Sequence, residues 1–163
     1  DGVESLLNNG ADPNQRAVGN MNAVTIASSY QQDTRFLKLI VEAGGDVNAI
    51  EGENEDTALI TAFKRGVYTD NWDNYYFLLD AGADVNQVTK NGRSIGFYVG
   101  AYNQNCKYIE LLERGYSYNL VGVLRATRDQ PALMPGSPNI ACREPLIQKL
   151  EEKIIELGLE LPE

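Results

Sequence analysis

Four carboxylates fall within a six-residue stretch of the chain, at Glu51, Glu53, Glu55 and Asp56. Clustered carboxylates can hold a calcium ion or exchange protons with a substrate. The calcium-loop pattern does not fit, because its Gly and its closing Glu are not at the required positions. Proton transfer would require a sheltered cleft that shifts a carboxyl pKa, and an exposed loop tip would offer none. Two interpretations stay open: a solvated loop tip, and an electrostatic contact with a basic partner.

Histidine, the commonest general base, does not occur in the sequence. Its absence excludes Ser-His-Asp and Cys-His catalytic arrangements and every zinc site that contains His. The two cysteines, Cys106 and Cys142, are too few for a four-cysteine zinc site. The sequence also has no Gly-rich phosphate-binding loop. We therefore predict a protein that is not an enzyme and that uses no cofactor and no metal.

The net charge restricts the class of partner. The chain has 163 residues, with 23 acidic and 14 basic side chains and a formal charge of −9. Such a charge disfavours nucleic acid and anionic membranes, and it favours a partner with a basic patch or simply keeps the protein in solution. No apolar run approaches the roughly 20 residues that a membrane helix needs. We predict one domain, residues 1–163, that binds no nucleic acid and has no membrane insertion.

One nine-residue motif organises the chain. It reads LLDAGADVN at residues 78–86 and returns as LLNNGADPN at 6–14, IVEAGGDVN at 40–48 and LLERGYSYN at 111–119. The closing asparagines recur after 34, 38 and 33 residues, an interval typical of stacked helical repeats. The apolar pair fits the buried side of a helix, and the Gly can end that helix in a left-handed conformation. The Asp and Asn that follow can bond their own backbone in a tight turn.

This motif, together with DTALITA at residues 56–62, resembles the ankyrin repeat. The resemblance implies an all-α solenoid of about four repeats, with short β-hairpin fingers and a divergent C-terminal capping repeat. The expected divisions are a partial N-terminal repeat at 1–14, whose inner helix is missing, repeats at 15–48, 49–86 and 87–119, and a divergent repeat at 120–163. Residues 67–73 should form an insertion between the two helices of the second full repeat, and Gly96 stands where a buried Leu is expected.

Ankyrin repeats bind other proteins through finger tips and exposed inner-helix positions, and generally catalyse nothing. Carried over to this sequence, the resemblance implies a partner-binding surface that contains Arg16, Met21, Tyr30, Glu53, Glu55, Lys64, Arg65, Lys90, Arg93 and Tyr102. The competing site is the aromatic edge at Tyr68, Trp72, Tyr75 and Tyr76, of which Trp72 is included among the predicted contacts. That edge is either a packing flap over helix ends or a contact for a partner.

The two cysteines fall at the starts of outer helices in consecutive repeats. Stacking brings such positions close together, so we expect a Cys106–Cys142 disulfide, and an even number of cysteines fits an oxidising compartment. The alternative is a pair of buried free thiols.

The C-terminal part, residues 120–163, is similar to that of bacterial ankyrin-repeat proteins associated with type VI secretion effectors. Some of those act as immunity proteins. The resemblance implies an inhibitor that neutralises a secreted hydrolase such as a phospholipase, in the periplasm or another extracytoplasmic location. The alternative is a scaffold or adaptor with no toxin partner, and the alternative location is the cytoplasm.

Overall fold

The structure, a computed structural model, describes residues 2–17, 21–30, 33–50, 56–130 and 140–163. Within these ranges the chain is all-α. The helices are α1 (Gly2–Asn8), α2 (Ala23–Ser28), α3 (Arg35–Glu42), α4 (Ala58–Thr69), α5 (Asp73–Asp80), α6 (Ile95–Ala101), α7 (Asn105–Glu113), α8 (Leu120–Arg128) and α9 (Arg143–Glu156). They belong to two compact units, which are unit 1 (Asp1–Gly92) and unit 2 (Arg93–Glu163).

Unit 1 is built from antiparallel helix pairs. Helix α2 packs against α3 and α4 against α5, while α2 also packs on α4 and α1 on α3. The core contains Val24 of α2, Leu37 of α3, Phe63 of α4 and Leu78 of α5, none of which has measurable exposure. Each pair thus buries apolar faces both within itself and against the next pair, as the repeat pattern predicts.

Side-chain caps begin the two inner helices of unit 1. The Asn22 Oδ1 accepts a hydrogen bond of 2.7 Å from the backbone N–H of Val24, and the Thr57 Oγ1 accepts one of 3.2 Å from Ile60. Both caps satisfy a backbone donor that the first helical turn leaves without a partner. The Thr57 start agrees with the sequence motif at residues 56–62.

The turns after the outer helices are closed by the aspartates of the repeat motif. The Asp46 Oδ1 accepts from the N–H of Asn48 at 2.9 Å, and Asp84 does the same for Asn86 at 2.8 Å. The preceding Gly44 has φ of +95°, a conformation that side-chain-bearing residues rarely adopt. The aspartates therefore make the local bonds that the sequence predicts for this turn.

The asparagines of the motif do not bond their own turn as the aspartates do. Their side chains form hydrogen bonds with the turn of the next repeat. Asn14 donates from Nδ2 to the Gly44 carbonyl at 2.9 Å and accepts at Oδ1 from the Asp46 N–H at 2.7 Å. Asn48 repeats the pattern with a 3.5 Å donation to the Gly82 carbonyl and a 2.8 Å acceptance from Asp84. We call these bonds the asparagine ladder. It links successive turns of unit 1.

The predicted β-hairpin fingers are reduced to single backbone links in the described residues, which contain no strand. Ala17 donates its N–H to the Met21 carbonyl at 2.9 Å, and Ile50 and Thr57 form one isolated antiparallel bridge. In the third finger the N–H of Gly92 bonds the Thr89 carbonyl at 2.8 Å. The tips at 18–20 and 51–55 lie outside the described residues.

The insertion predicted at residues 67–73 is mostly helical. Helix α4 has 12 residues, against 6 in α2, and continues through Thr69. It ends at Asp70, which has φ of +57°, and only residues 70–72 connect it to α5. The extra residues therefore lengthen the inner helix rather than form an open loop.

Unit 2 fills its core differently at Gly96. A Cβ at this position would lie 2.4 Å from the Tyr108 hydroxyl and 2.2 Å from that of Tyr116. The two buried rings pack edge to face with centroids 5.5 Å apart, and the Tyr116 hydroxyl bonds Ser94 Oγ at 2.7 Å. Burial raises the pKa of both tyrosines above the ordinary value, so both stay neutral. The tyrosines occupy the volume of the Leu that the repeat pattern expects at Gly96.

A disulfide and an arginine connect the last helix, α9, to the rest of unit 2. Cys106 of α7 and Cys142 at the start of α9 form a disulfide with Cα atoms 5.1 Å apart. On the chain-entropy model, closing this loop contributes about 3–4 kcal/mol to stability. Arg143 donates to the carbonyls of Thr127, Arg128 and Gln130 at 3.3, 2.9 and 3.3 Å, and so satisfies the end of α8.

The asparagine ladder leads to a test in unit 1. Asn48→Ala removes the acceptor for the Asp84 N–H and should lower the free energy of unfolding by about 1–2 kcal/mol, the range of one to two hydrogen bonds. Asn8→Ala, at the exposed end of α1, is the matched control and should change stability by less than about 0.5 kcal/mol. Urea denaturation measures both. Equal stability of the two variants would contradict a ladder that couples the repeats.

Candidate functional site

An open groove of about 480 Å³ runs between α2 and α4 on unit 1. One part of its lining comes from α2 and the residues that flank this helix, and the other part comes from α4 and from Asp56, which lies two residues before α4. The lining residues are Met21, Thr25, Ile26, Ser29, Tyr30, Asp56, Thr61 and Arg65. We call this the α2–α4 groove. Three of the residues that the sequence predicts for partner binding, Met21, Tyr30 and Arg65, lie in it together.

Helical spacing explains why these residues share one surface. Met21, Thr25 and Ser29 are four residues apart in and beside α2, with Met21 two residues before the helix and Ser29 directly after it, and Thr61 and Arg65 are four apart on α4. Residues at i and i+4 stand on the same face of a helix. The sequence analysis missed Thr25 and Thr61, although this spacing from Met21 and Arg65 is the signal that could have found them.

The rim of the groove is aromatic and apolar. Tyr30 is 60% exposed and Met21 is 44% exposed, both unusually high values for large apolar side chains. Tyrosine is among the residue types over-represented in binding hot spots. This rim therefore offers contact area that the fold itself does not use.

The charged side chains at the groove are not equivalent. Lys64 donates from Nζ to the Asp56 Oδ2 at 2.6 Å, in an ion pair of which both members are largely buried. Arg65 is exposed, and its guanidinium forms no ion pair with any residue in the described parts of the chain. The local positive charge that remains available is therefore that of Arg65 rather than that of Lys64.

Thr25 gives the groove a polar floor that costs stability. The residue is 4% exposed, and its Oγ1 has no hydrogen-bond partner. A buried hydroxyl without a partner costs about 1–3 kcal/mol. The neighbouring Ser29, by contrast, donates its hydroxyl to the Ile26 carbonyl at 2.7 Å.

A second hollow, of about 340 Å³, borders the same helix. Its lining is apolar except for the Tyr30 hydroxyl and consists of Val3, Ala23, Ile26, Ala27, Tyr30, Phe36 and Ile40. Ile26 and Tyr30 belong to both hollows. We call this one the apolar hollow. The side chains of Tyr30 and Ile26 therefore separate the α2–α4 groove, which contains charged residues, from the apolar hollow, which contains none.

Other predicted contacts of unit 1 lie elsewhere. The Arg16 guanidinium donates to the Ile50 carbonyl at 3.1 Å, a bond between the first and second fingers. Lys90 is exposed in the third finger and does not line the α2–α4 groove. Glu53 and Glu55 fall outside the described residues.

Trp72 is held by packing contacts. Its ring covers Gly66 of α4 so closely that a Cβ there would lie 2.4 Å from Trp72 Cε3. The ring also contacts Phe63 and Tyr75, with centroids 5.7 and 5.8 Å away, and its Nε1 donates to Asp70 at 3.2 Å. Of the two interpretations of this edge, the contacts favour the packing flap.

Arg93 and Tyr102 belong to unit 2. The Arg93 guanidinium lies over the ring of Phe97, with 4.8 Å between its Cζ and the ring centroid. Phe97 is itself 50% exposed, and Tyr102 is half-buried at the end of α6. The arginine is thus stacked on an exposed ring, an arrangement that also holds its side chain in place.

Metal ligands do not gather anywhere in the described ranges, where no three His, Cys, Asp or Glu side chains stand close enough to hold an ion. Among the helices of those ranges, none has the length and apolar character to span a membrane.

Comparison with known proteins gives one consistent similarity. Over 98 residues, 58% of its length, the chain is 35% identical to ankyrin repeat and SOCS box protein 6 of Homo sapiens and to its counterpart in Pongo abelii. The chain is similar to ankyrin-repeat proteins. The match covers 23% of the length of each of these relatives. No protein-family model matches the sequence.

This similarity is consistent with the helices of the described residues and supports an ankyrin-like interaction module. Nothing in the comparisons or in the described residues indicates catalysis. The comparisons do not show the similarity to bacterial immunity proteins that the sequence analysis predicts for residues 120–163.

The packing of Trp72 leads to a second test. Trp72→Ala removes a ring that covers Gly66, Phe63 and Tyr75, so it should lower the free energy of unfolding by about 2–4 kcal/mol. Tyr30→Ala, at an exposed aromatic, should change stability by less than about 0.5 kcal/mol. Urea denaturation followed by circular dichroism compares the two. A Trp72→Ala protein as stable as the Tyr30→Ala protein would mean that Trp72 is not a packing residue.

Proposed function

We propose that the chain is a non-catalytic module that binds another protein through the α2–α4 groove. The observation that carries the proposal is the convergence of Met21, Tyr30 and Arg65 on one open surface of unit 1. All three were selected from the sequence as binding positions of an ankyrin-like repeat. Exposed Tyr and Met beside an available guanidinium form the kind of mixed surface on which binding energy concentrates.

The frame that carries the groove supports binding without large rearrangement. Helices α2 and α4 pack directly on each other, and the asparagine ladder ties successive turns of the same unit. A preformed surface loses little conformational entropy on association. An interface of ordinary size, roughly 1,200–2,000 Å², can then give a stable complex.

The proposed partner is a secreted hydrolase, which the chain inhibits by occupying its active-site mouth or by holding a mobile lid. This finer proposal is supported by the resemblance to immunity-type proteins that was inferred from the sequence of residues 120–163, and by the Cys106–Cys142 disulfide. Disulfides persist in oxidising compartments and are rare in the cytosol. The proposal therefore includes a periplasmic or other extracytoplasmic location. A scaffold or adaptor is the alternative.

The binding surface can be tested by four substitutions against one control. Tyr30→Ala and Arg65→Ala should each weaken the complex with the purified partner by about 1–3 kcal/mol while leaving the unfolding transition unchanged. Glu42→Ala, at an exposed position on α3, should leave affinity unchanged. Calorimetric titration measures each affinity. Tyr102→Ala, in unit 2, shows whether that unit contributes. Loss of affinity from Trp72→Ala alone, with none from Tyr30 or Arg65, would move the site to the aromatic edge.

Inhibition is tested by titrating the partner hydrolase with this protein and following its activity. Activity should fall to zero near one equivalent, and the intact masses of both chains should stay unchanged, because binding alone modifies neither. The Arg65→Ala protein, with its weaker affinity, should require a larger excess. Loss of activity at a small fraction of an equivalent, or a changed mass of the hydrolase, would indicate catalysis by this chain. A stoichiometric complex that keeps full activity would favour the scaffold.

A further inference from the structure

We infer that unit 1 recognises a segment that carries one carboxylate side chain beside one large apolar side chain. The carboxylate pairs with Arg65 in the α2–α4 groove, and the apolar side chain enters the apolar hollow on the other side of Tyr30. This inference rests on the proposed binding function and adds the chemistry of the segment that binds.

The charge of the groove leads to the first half of the inference. The chain as a whole carries a formal charge of −9, which would favour a basic partner everywhere on its surface. Two carboxylates in the region of Arg65 are nonetheless paired with other cations. Asp56 pairs with Lys64 at 2.6 Å, and Asp33 lies 3.7 Å from the guanidinium of Arg35. Asp73 lies in the first turn of α5, where the helix dipole favours a negative charge.

Arg65 therefore keeps an available guanidinium within an acidic protein. A guanidinium binds a carboxylate through two parallel hydrogen bonds, which gives direction as well as attraction. The Tyr30 side chain and the Arg65 guanidinium line the same groove, so an acidic residue bound there would be partly removed from water. Partial removal from water strengthens the ion pair relative to one on an open surface.

The apolar hollow leads to the second half. Its volume of about 340 Å³ is ample for one large aliphatic or aromatic side chain. Its walls, which include Val3, Ala27, Phe36 and Ile40, present no charged group. Burying a large apolar side chain there would contribute about 1.5–3 kcal/mol before ordering costs. Because Ile26 and Tyr30 line both hollows, one short segment can reach the two.

The experiment selects random heptapeptides displayed on phage against the intact protein. Selected peptides should contain Asp or Glu at a constant distance from Leu, Ile, Met or Phe. The Arg65→Glu protein should instead select Lys or Arg at the acidic position, because the charge at that end of the groove is reversed. Ala23→Leu, which reduces the apolar hollow, should select smaller apolar residues. Arg125→Met, an exposed arginine of α8 in unit 2, is the control and should select the same peptides as the original protein.

A double-substitution cycle then measures the contact itself. The best peptide is synthesised with its carboxylate and with the matching amide, and each is titrated against the original protein and against Arg65→Met. Either single change should weaken binding by about tenfold to a hundredfold, and the two together should cost little more than one.

Three results would overturn the inference: no selected peptide, selected peptides without an acidic residue, or purely additive effects in the cycle. None of them would remove the proposed function, which is decided by the Tyr30→Ala and Arg65→Ala titrations with the partner protein. The opposite outcome is also distinguishable. If the selected peptides show the expected preference but neither variant weakens the complex with the partner protein, the inference about peptide chemistry stands and the proposed binding function through this groove is wrong.

Discussion

Asn14 and Asn48 place their side-chain amides on the turn of the following repeat, and the order of unit 1 depends on this arrangement. Each amide accepts from an Asp N–H, at 2.7 and 2.8 Å, and donates to a Gly carbonyl. Each exposed bond contributes only about 0.5–1.5 kcal/mol, so the effect is mainly positional. The same bonds link the turns that follow α1, α3 and α5, and the inner helices α2 and α4 of these repeats pack directly on each other. The α2–α4 groove lies between those two helices.

Much of this arrangement follows from local sequence signals, and the rest depends on contacts between distant residues. The repeat motif predicts where the outer helices end, the caps predict where α4 begins, and the resemblance to ankyrin repeats predicts that Met21, Tyr30 and Arg65 belong to one binding surface. The bonds of Asn48 could not be predicted in this way, since its partners lie 34 and 36 residues away and a local bond was equally available. The space above Gly96 is likewise filled by tyrosines from outside its own helix, α6.

The charge available at the α2–α4 groove differs in sign from the net charge of the whole chain. An acidic chain attracts basic partners at long range, where all its charges act together, and that attraction is screened by salt. At contact distance only the unpaired groups matter, and the Lys64–Asp56 pair removes both of its members from that set. Among the described residues that line the groove, Arg65 is then the charged side chain without an ion pair. Long-range attraction and short-range selection can therefore favour opposite charges on different parts of one partner.

The two edges of unit 1 are bonded differently: the asparagine ladder repeats along one edge, and at the other the Asn74 Nδ2 donates to the carbonyls of Ser28 and Tyr30. The asparagine bonds span 30 residues from Asn14 to Gly44 and 34 from Asn48 to Gly82, yet both are formed with the same pattern of donors and acceptors. The second span is four residues longer than the first, and most of these additional residues lie where α4 extends to Thr69 and connects to α5. That connection is at the ends of the helices away from the ladder. Natural insertions and deletions should therefore accumulate at that edge over evolutionary time. For the protein engineer, it is also the edge where a foreign peptide could be grafted without disturbing the phase of the repeats.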